Sequence, residues 1–410
     1  MQKLILTFIV LLNFSCVYSQ TTQIDRAKII EDLDEILADI SQNYIYLGEK
    51  KLDINCIRAY YEKQIPNVQT EEDAVLFFEY LLDEFYDSHL ILNTNRSSSF
   101  RLFSPIYLTV KDRKSIISNI WQTQIENLDQ DLIGAEVVKI NGLDFDKAIE
   151  DFPTHCSNKK ALEVREWIAN KILAGRYNEA RVLTIRLDNG KVIAMDLDKL
   201  KIKQTSDLLS STTEDGIGII RINNSLGNNK LINEFDQALD NLMDTRGLIV
   251  DLRNTVDGGD SYVARGIMSR FITEPKPYQK HWTTEQYDDG PKVIRSWVEY
   301  VSPREGPYKA PVVILVGRWT GSMGEGLAIG FEGMDRAEVV GSEMERLAGE
   351  MEGFSFRNQR FGYRLSTAKL FHINGTPREK YVPTNYVKQT TINTDEVLEK
   401  GMWLINQKAE

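Results

Sequence analysis

The feature of this 410-residue sequence that most constrains its fold is a regular alternation of apolar strands and amphipathic helices from Asp215 onward. Strand and helix segments follow one another in the order IGIIRI, NKLINEFDQALDNLM, GLIVDLR, SYVARGIMSRFI, PVVILVG, SMGEGLAIGFEGM and AEVVG. Such alternation is typical of a largely parallel sheet covered by helices. We therefore predict an α/β fold whose ligand site lies in the loops at the carboxyl ends of the strands.

The residues before this segment have a different character. Apolar residues recur at three- and four-residue steps between Gln23 and Tyr46, and a second amphipathic stretch begins after Thr70, a favourable N-cap. Short alternating segments separated by turn signals then indicate a small β-rich module. The sequence thus predicts a signal peptide at 1–19, a helical region at 20–98, the β-rich module at 99–205 and the α/β core at 206–410.

The first twenty residues, MQKLILTFIVLLNFSCVYSQ, carry one Lys, an apolar stretch over 4–14 and then small or polar residues. This pattern predicts a secretory signal cleaved after Ser19, so that the product is exported to the periplasm or outside the cell and keeps no transmembrane segment. Lipid attachment at Cys16 is the alternative. It is disfavoured because Asn13 stands where a lipoprotein signal has an aliphatic residue.

Charge and metal-ligating residues disfavour several classes of function. Lys and Arg total 49 against 60 Asp and Glu, a net charge of −11 without a basic stripe, which disfavours a nucleic-acid partner. Without Cys16, Cys56 and Cys156 remain; they could pair in an oxidising compartment, but their sequence spacing does not decide it. The four histidines are scattered without metal-ligand spacing, so we expect no metal: His89, His155, His281 and His372.

Two glycine-containing loops follow neighbouring strands of the predicted sheet. RWTGSMGEG places Ser322 at the end of a strand and the start of a helix, where free backbone N–H groups favour an anion. The amide of Met323 would point to the place where a tetrahedral oxyanion forms. In RNTVDGGD, Gly258 and Gly259 allow close backbone approach and offer further N–H groups. Ser322 is therefore a candidate nucleophile, and a simple helix cap is the alternative.

Three ordered blocks carry a resemblance to a known family: GLIVDLRNTVDGG, PVVILVGRWTGSMGEGLAIGFEGMDRAEVVG and YRLSTAKLFHINGTPREKYVPTNYV. They resemble the C-terminal processing (tail-specific) and tricorn-core serine peptidases over about residues 210 to 410. The resemblance implies a ClpP/crotonase-like catalytic core, a serine nucleophile at Ser322 and no cofactor. It also implies that the substrate is a peptide or an unfolded protein.

The resemblance implies one of two general bases. The tail-specific branch uses a Ser-Lys dyad, but VVGSEMERLAGE puts Leu347 at the lysine position, and Arg346 beside it stays protonated. The tricorn-like branch takes a Ser-His pair from the N-terminal part, and YDSHL supplies Ser88 and His89. We therefore predict His89 as the base, oriented by Ser88 and by Glu379, although GTPREKYVPTNYV lacks the Gly and the Asp of the family's segment around that glutamate.

Residues 100–203 also resemble the PDZ-like module that many family members carry before the core, chiefly through LIGAEVVKINGLDFDKAI. A PDZ groove binds an extended chain by strand addition, so we expect the substrate to bind as an extended strand. Two other functions are weighed against a peptidase. An α/β-hydrolase esterase would use Ser322 with His372, but Thr320 replaces the first Gly of its G-x-S-x-G motif. A non-catalytic peptide- or lipid-binding relative would keep the fold without turnover.

Overall fold

The structure, a computed structural model, describes residues 24–409. The predicted cleavage after Ser19 and the alternative lipid site at Cys16 lie outside this range. Within the range, no helix combines the length and the apolar character needed to cross a membrane.

The N-terminal part consists of helices that pack onto the C-terminal part of the chain. Its elements are α1 Arg26–Asn43, α2 Leu47–Lys50, α3 Ile54–Gln64, α4 Glu71–Asp83 and the short strand β1 Ile91–Leu92. Both predicted amphipathic helices are confirmed as α1 and α4, and α4 begins with a capping box between Thr70 and Asp73. The ring of Phe78 on α4 contacts that of Phe356, with centroids 4.4 Å apart. The helices therefore share a hydrophobic core with residues far along the chain.

The second part is an antiparallel sheet with two helices. Its elements are β2 Ile106–Lys111, β3 Lys114–Ile120, β4 Glu136–Ile140, β5 Leu143–Asp144, α5 Phe145–Glu150, α6 Leu162–Ala174, β6 Val182–Arg186 and β7 Val192–Asp196. The strand order is β2-β3-β4-β6-β7, with β5 paired to β4. A disulfide joins Cys56 of α3 to Cys156 between α5 and α6, so the pairing that the sequence left open is present.

The third part contains the predicted parallel sheet. Its elements are β8 Leu209–Glu214, β9 Ile217–Ile222, α7 Leu231–Asp240, β10 Gly247–Asp251, α8 Ser261–Met268, β11 Lys276–Glu285, β12 Val293–Val301, β13 Val312–Val316, α9 Met323–Gly333, β14 Glu338–Gly341, β15 Glu350–Ser355, β16 Gly362–Phe371, β17 Asn385–Tyr386 and α10 Glu396–Ala409. The strand order is β17-β14-β13-β10-β9-β8, parallel except for β8, which confirms the α/β prediction. All residues of β10 and β13 are buried, as expected for central strands covered on both faces. Because β10 and β13 are neighbours, the two glycine-containing loops leave the same edge of the sheet.

A second sheet, which the sequence analysis did not predict, connects the N-terminal part to the core. Its order is β1-β16-β11-β12, with β15 also paired to β16. Strand β1 begins two residues after His89 and pairs antiparallel with β16, with Ile91 opposite Arg364. This pairing brings the YDSHL segment to the core. The division of the chain at 98/99 and at 205/206, and the PDZ-like nature of the second part, remain predictions.

Candidate active site

Ser322 lies at the turn between β13 and α9 in a strained backbone conformation. Its φ is 47° and its ψ is −109°, a region that residues with a side chain rarely adopt. Such a conformation costs about 1 to 3 kcal/mol and persists only where the surroundings fix it. A sharp strand-to-helix turn of this kind presents the nucleophilic serine of α/β-hydrolases. The half-buried Ser322 side chain thus occupies the position that a nucleophile requires.

Glu325, in the first turn of α9, holds the Ser322 turn in place. This carboxyl is fully buried and accepts hydrogen bonds from the backbone N–H groups of Ser322 (3.0 Å), Arg346 (2.9 Å) and Leu347 (3.2 Å). Burial raises the pKa of Glu325 to about 7, although the buried guanidinium of Arg378 acts in the opposite direction. One carboxyl therefore fixes both the candidate nucleophile and the 346–347 segment.

The glycine-rich loop after β10 lies directly against Ser322. A methyl group on Gly258 would collide with the Cβ of Ser322 and lie 2.9 Å from the amide nitrogen of Met323, so only glycine fits there. The N–H of Gly258 donates to the carbonyl of Thr255 at 3.0 Å. Within residues 24–409, the N–H groups of Met323 and Gly259 have no hydrogen-bond partner. Of the two glycines predicted as donors, Gly259 is the one whose amide is free.

The turn that carries His89 is fixed by a buried carboxylate. Oδ1 of Asp87 accepts from the backbone N–H of His89 at 2.9 Å, and Oδ2 accepts from the hydroxyl of Tyr44 on the C-terminal side of α1 at 2.5 Å. Asp87 is 6% exposed and His89 is 3% exposed. The imidazole is therefore held inside the protein rather than in solvent. Asp87 was not singled out by the sequence analysis.

The surroundings of the His89 ring set its tautomer. Nδ1 lies 3.0 Å from the carbonyl oxygen of Ala348, and because a carbonyl can only accept, Nδ1 carries the proton. Nε2 is then the basic nitrogen, and it is buried without a hydrogen-bond partner in the described part of the chain. Burial, reinforced by the positive charge of Arg378, lowers the pKa of His89 to about 4. The imidazole is therefore neutral at physiological pH, as a general base must be.

Two adjacent residues connect the candidate base to the candidate nucleophile. The N–H of Leu347 donates to Glu325, which also accepts from the N–H of Ser322, and the carbonyl of Ala348 accepts from His89. Ser322 and His89 are not hydrogen-bonded to each other in the described structure, and hydrogen bonds of this kind often tighten only when substrate binds. Leu347, at the lysine position of the dyad branch, is apolar and 7% exposed.

Ser88 and Glu379, the two residues predicted to orient His89, make hydrogen bonds to other side chains. Ser88 is exposed, and its hydroxyl accepts from Nε1 of Trp167 on α6 at 3.2 Å. Glu379 is half-buried, its pKa is raised by burial, and it accepts from the hydroxyl of Tyr46 at 3.4 Å. Among residues 24–409, neither side chain is hydrogen-bonded to the candidate nucleophile or base. The structure thus brings Ser322, Met323 and the glycine-rich loop together, and it connects His89 to them through Leu347 and Ala348.

His372, the base of the esterase alternative, lies away from Ser322. Its Nδ1 accepts from the N–H of Asn374 at 3.0 Å, and its Nε2 is 3.3 Å from a carboxylate oxygen of Glu332 on α9. Glu332 is ten residues beyond Ser322, which corresponds to about 15 Å along a helix. The esterase alternative therefore lacks its base. In the described part of the chain, no group of three or more His, Cys, Asp or Glu side chains is placed to hold a metal ion.

Comparison with known proteins finds two matching family models. The model of peptidase family S41 matches residues 216–387, and that of the tricorn protease C1 domain matches residues 25–83. No curated protein sequence matches the chain. Among solved structures, mature CPAF in complex with lactacystin has a TM-score of 0.61 at 13% identity, over 94% of this chain and 98% of that chain. The photosystem II D1 C-terminal processing protease has a TM-score of 0.55 at 13% identity, over 93% and 97%.

A third similar structure is a putative peptidase from Parabacteroides merdae, with a TM-score of 0.53 at 15% identity, over 92% of this chain and 96% of that chain. At these identities the solved structures show a shared fold, and they share it over nearly their whole length. The family models, unlike the shared fold, also indicate the class of enzyme. Residues 216–387 belong to peptidase family S41, and the chain is a serine-type peptidase.

Proposed function

We propose that this chain is an exported peptidase that cleaves peptide bonds through an acyl-enzyme, with Ser322 as nucleophile and His89 as general base. The observation that carries the proposal is that the adjacent residues Leu347 and Ala348 contact the surroundings of both Ser322 and His89. The N–H of Leu347 donates to Glu325, which holds the strained Ser322 turn, and the carbonyl of Ala348 sets the tautomer of His89. Assaying cleavage of an unfolded protein by wild type and by Ser322→Ala tests the proposal.

The chemistry follows from the atoms that the site leaves free. Oγ of Ser322 attacks the scissile carbonyl while Nε2 of His89 takes the hydroxyl proton. The N–H groups of Met323 and Gly259 hold the resulting oxyanion, and each such donor contributes roughly 3 to 4 kcal/mol in other serine enzymes. His89 then gives the proton to the leaving amine. Water then enters, and His89 takes a proton from it as its oxygen attacks the acyl carbonyl. His89 returns this proton to Oγ of Ser322 as the ester bond breaks and the acid product leaves.

We assign Glu379 a supporting role, because its observed contact is with Tyr46 rather than with the reacting groups. Glu379→Gln keeps an oxygen that can accept from Tyr46, so kcat/KM should fall by less than about tenfold. Tyr46→Phe, which removes the hydrogen bond altogether, should lower kcat/KM at least as much as Glu379→Gln and still far less than Ser322→Ala. A loss in Glu379→Gln as large as that in Ser322→Ala would instead place Glu379 directly in the catalytic unit.

The proposed location outside the cytoplasm rests on the N-terminal pattern and on the Cys56–Cys156 disulfide, which is typical of oxidising compartments. The mature chain should therefore begin at Gln20. Intact-mass measurement of the protein from its native host checks this expectation. A mature chain that begins with a lipidated Cys16 would contradict free export and favour membrane anchoring.

The substrate that fits this proposal is a peptide or an unfolded protein bound as an extended strand. Folded backbone is already hydrogen-bonded, whereas an extended chain can present its carbonyl to the Met323 and Gly259 amides. A groove in the β-rich module is the expected place for such a strand. The hydrogen bonds along the edge of its sheet therefore decide whether a substrate strand can bind there.

A further inference from the structure

Strand β2 forms one edge of the sheet in the second part of the chain, and helix α6 lies along it. An extended peptide can add to such an edge only if the edge has free N–H and C=O groups. A helix beside an edge strand forms the kind of groove in which a peptide is held. Whether this groove can accept a peptide therefore depends on the hydrogen bonds already made by β2.

Side chains of α6 occupy the outer edge of β2. Oδ1 of Asn170 accepts from the N–H of Leu108 at 2.9 Å, and Nδ2 of Asn170 donates to the carbonyl of the same residue at 2.9 Å. The Asn170 amide thus makes the pair of bonds that the backbone of an added strand would make. Oε2 of Glu166 accepts from the N–H of Val110 at 3.1 Å. Both backbone groups of Leu108 and the N–H of Val110 are therefore already bonded.

The two residues that lead into β2, Pro105 and Ile106, have no free N–H group to offer a C-terminal carboxylate. Capture of a carboxylate needs a cluster of unpaired backbone N–H groups. Pro105 has no N–H, and the N–H of Ile106 donates to the hydroxyl of Ser104 at 3.3 Å. The carbonyl of Ser104 accepts from Nε1 of Trp319, three residues before Ser322, at 2.9 Å. The start of β2 is therefore bonded to the catalytic core.

Helix α6 is also held from its other side, by the N-terminal part of the chain. Nε1 of Trp167 donates to the hydroxyl of Ser88, and Nζ of Lys171 lies 3.0 Å from a carboxylate oxygen of the buried Asp83. Glu166 and Asn170 are four residues apart and face β2, while Trp167 and Lys171, also four apart, face the N-terminal helices. Opening the groove would require breaking both sets of contacts.

We propose that the groove between β2 and α6 is filled by the chain's own Asn170 and Glu166, so that a free C-terminal tail does not add to this edge of the sheet. Substrate is then selected at the Ser322 site as an extended internal segment, whatever the chemistry of its C-terminus. The statement that substrate is selected at Ser322 rests on the proposed function. The statement that the groove is filled rests only on the contacts between β2 and α6.

Hydrogen exchange of the inactive Ser322→Ala chain, followed by mass spectrometry, tests the proposal. Degenerate peptides with a free C-terminal carboxylate are compared with the same peptides in amidated form. We expect exchange over 106–111 to be the same with both sets and without peptide. Slower exchange over 106–111 with the free-acid peptides alone would overturn the proposal.

Two variants of α6 test whether Glu166 and Asn170 protect the β2 amides. Removing both side chains, in Glu166→Ala with Asn170→Ala, should speed exchange of the Leu108 and Val110 amides by about fivefold to tenfold. The matched control is Glu163→Ala, an exposed position on α6, which should leave their exchange unchanged. Unchanged exchange in the double variant would also overturn the proposal. Failure of the wild type to cleave peptides would contradict the proposed function and leave the exchange result standing.

Discussion

Ser322→Ala is expected to lower kcat/KM for peptide cleavage by about 10⁴-fold or more, because it removes the atom that attacks the scissile carbonyl. The binding surfaces and the free amides of Met323 and Gly259 remain in this variant. Substrate should therefore still bind, and the loss should be in kcat rather than in affinity. Initial rates on an internally quenched peptide, with binding to the inactive chain measured separately, check both expectations.

Ser322→Gly is a structural control for this prediction. Glycine adopts the φ of 47° without steric cost, so this variant should be as inactive as Ser322→Ala but more stable than it by about 1 kcal/mol. Ser210→Ala, an exposed position on β8, should keep full activity and stability. Substantial cleavage by either Ser322 variant would remove Ser322 from the mechanism.

His89→Ala should cause a loss of similar size, because a nucleophile and its base act as one unit and their effects are strongly non-additive. A double variant of Ser322 and His89 should therefore be hardly less active than either single variant. His372→Ala is the matched histidine control and should retain activity, since its ring lies beside Glu332. Full turnover by His89→Ala would contradict the assignment of the base.

The pH dependence gives an independent test of His89. A protonated imidazole cannot accept the Ser322 proton, so kcat/KM falls as pH drops through the pKa of His89 in the free enzyme. Because burial lowers that pKa to about 4, the decline caused by protonation of His89 should be centred near pH 4 rather than in the ordinary histidine range near 6.5. An imidazole of His89 that titrates near 6.5 would contradict this expectation, whereas a transition near pH 7 belongs to Glu325. Titration of the His89 imidazole by NMR in the Ser322→Ala chain measures its pKa directly.

Much of the fold could be predicted from the sequence because the core strands are continuous apolar runs between amphipathic helices. The second sheet could not, because β11 and β12 contain mostly half-buried or exposed residues in which the pattern of a buried strand is weak. Its pairing also joins residues far apart in the chain, as when β1 pairs with β16. A contact of that kind depends on the whole fold and leaves no local signal.

The parts of the candidate site that depend on local sequence could be predicted. The parts that depend on contacts between distant residues could not. The turn at Ser322 follows from a buried strand, flanking glycines and a helix start. Glu325 could have been found from the S-x-x-E pattern that begins α9, although its bonds to Arg346 and Leu347 could not. That the hydroxyl of Ser88 faces Trp167 depends on the docking of α6, which the sequence does not reveal.

The most direct test of a Ser322 nucleophile activated by His89 is the site and rate of covalent labelling by a fluorophosphonate. Tandem mass spectrometry of the labelled chain should find one adduct, on Ser322, formed rapidly in the wild type and in His372→Ala. In His89→Ala the same adduct should form on the order of 10³-fold more slowly or not at all, because nothing takes the proton from Oγ. An adduct on another residue, or an equal rate of Ser322 labelling in His89→Ala, would contradict the account.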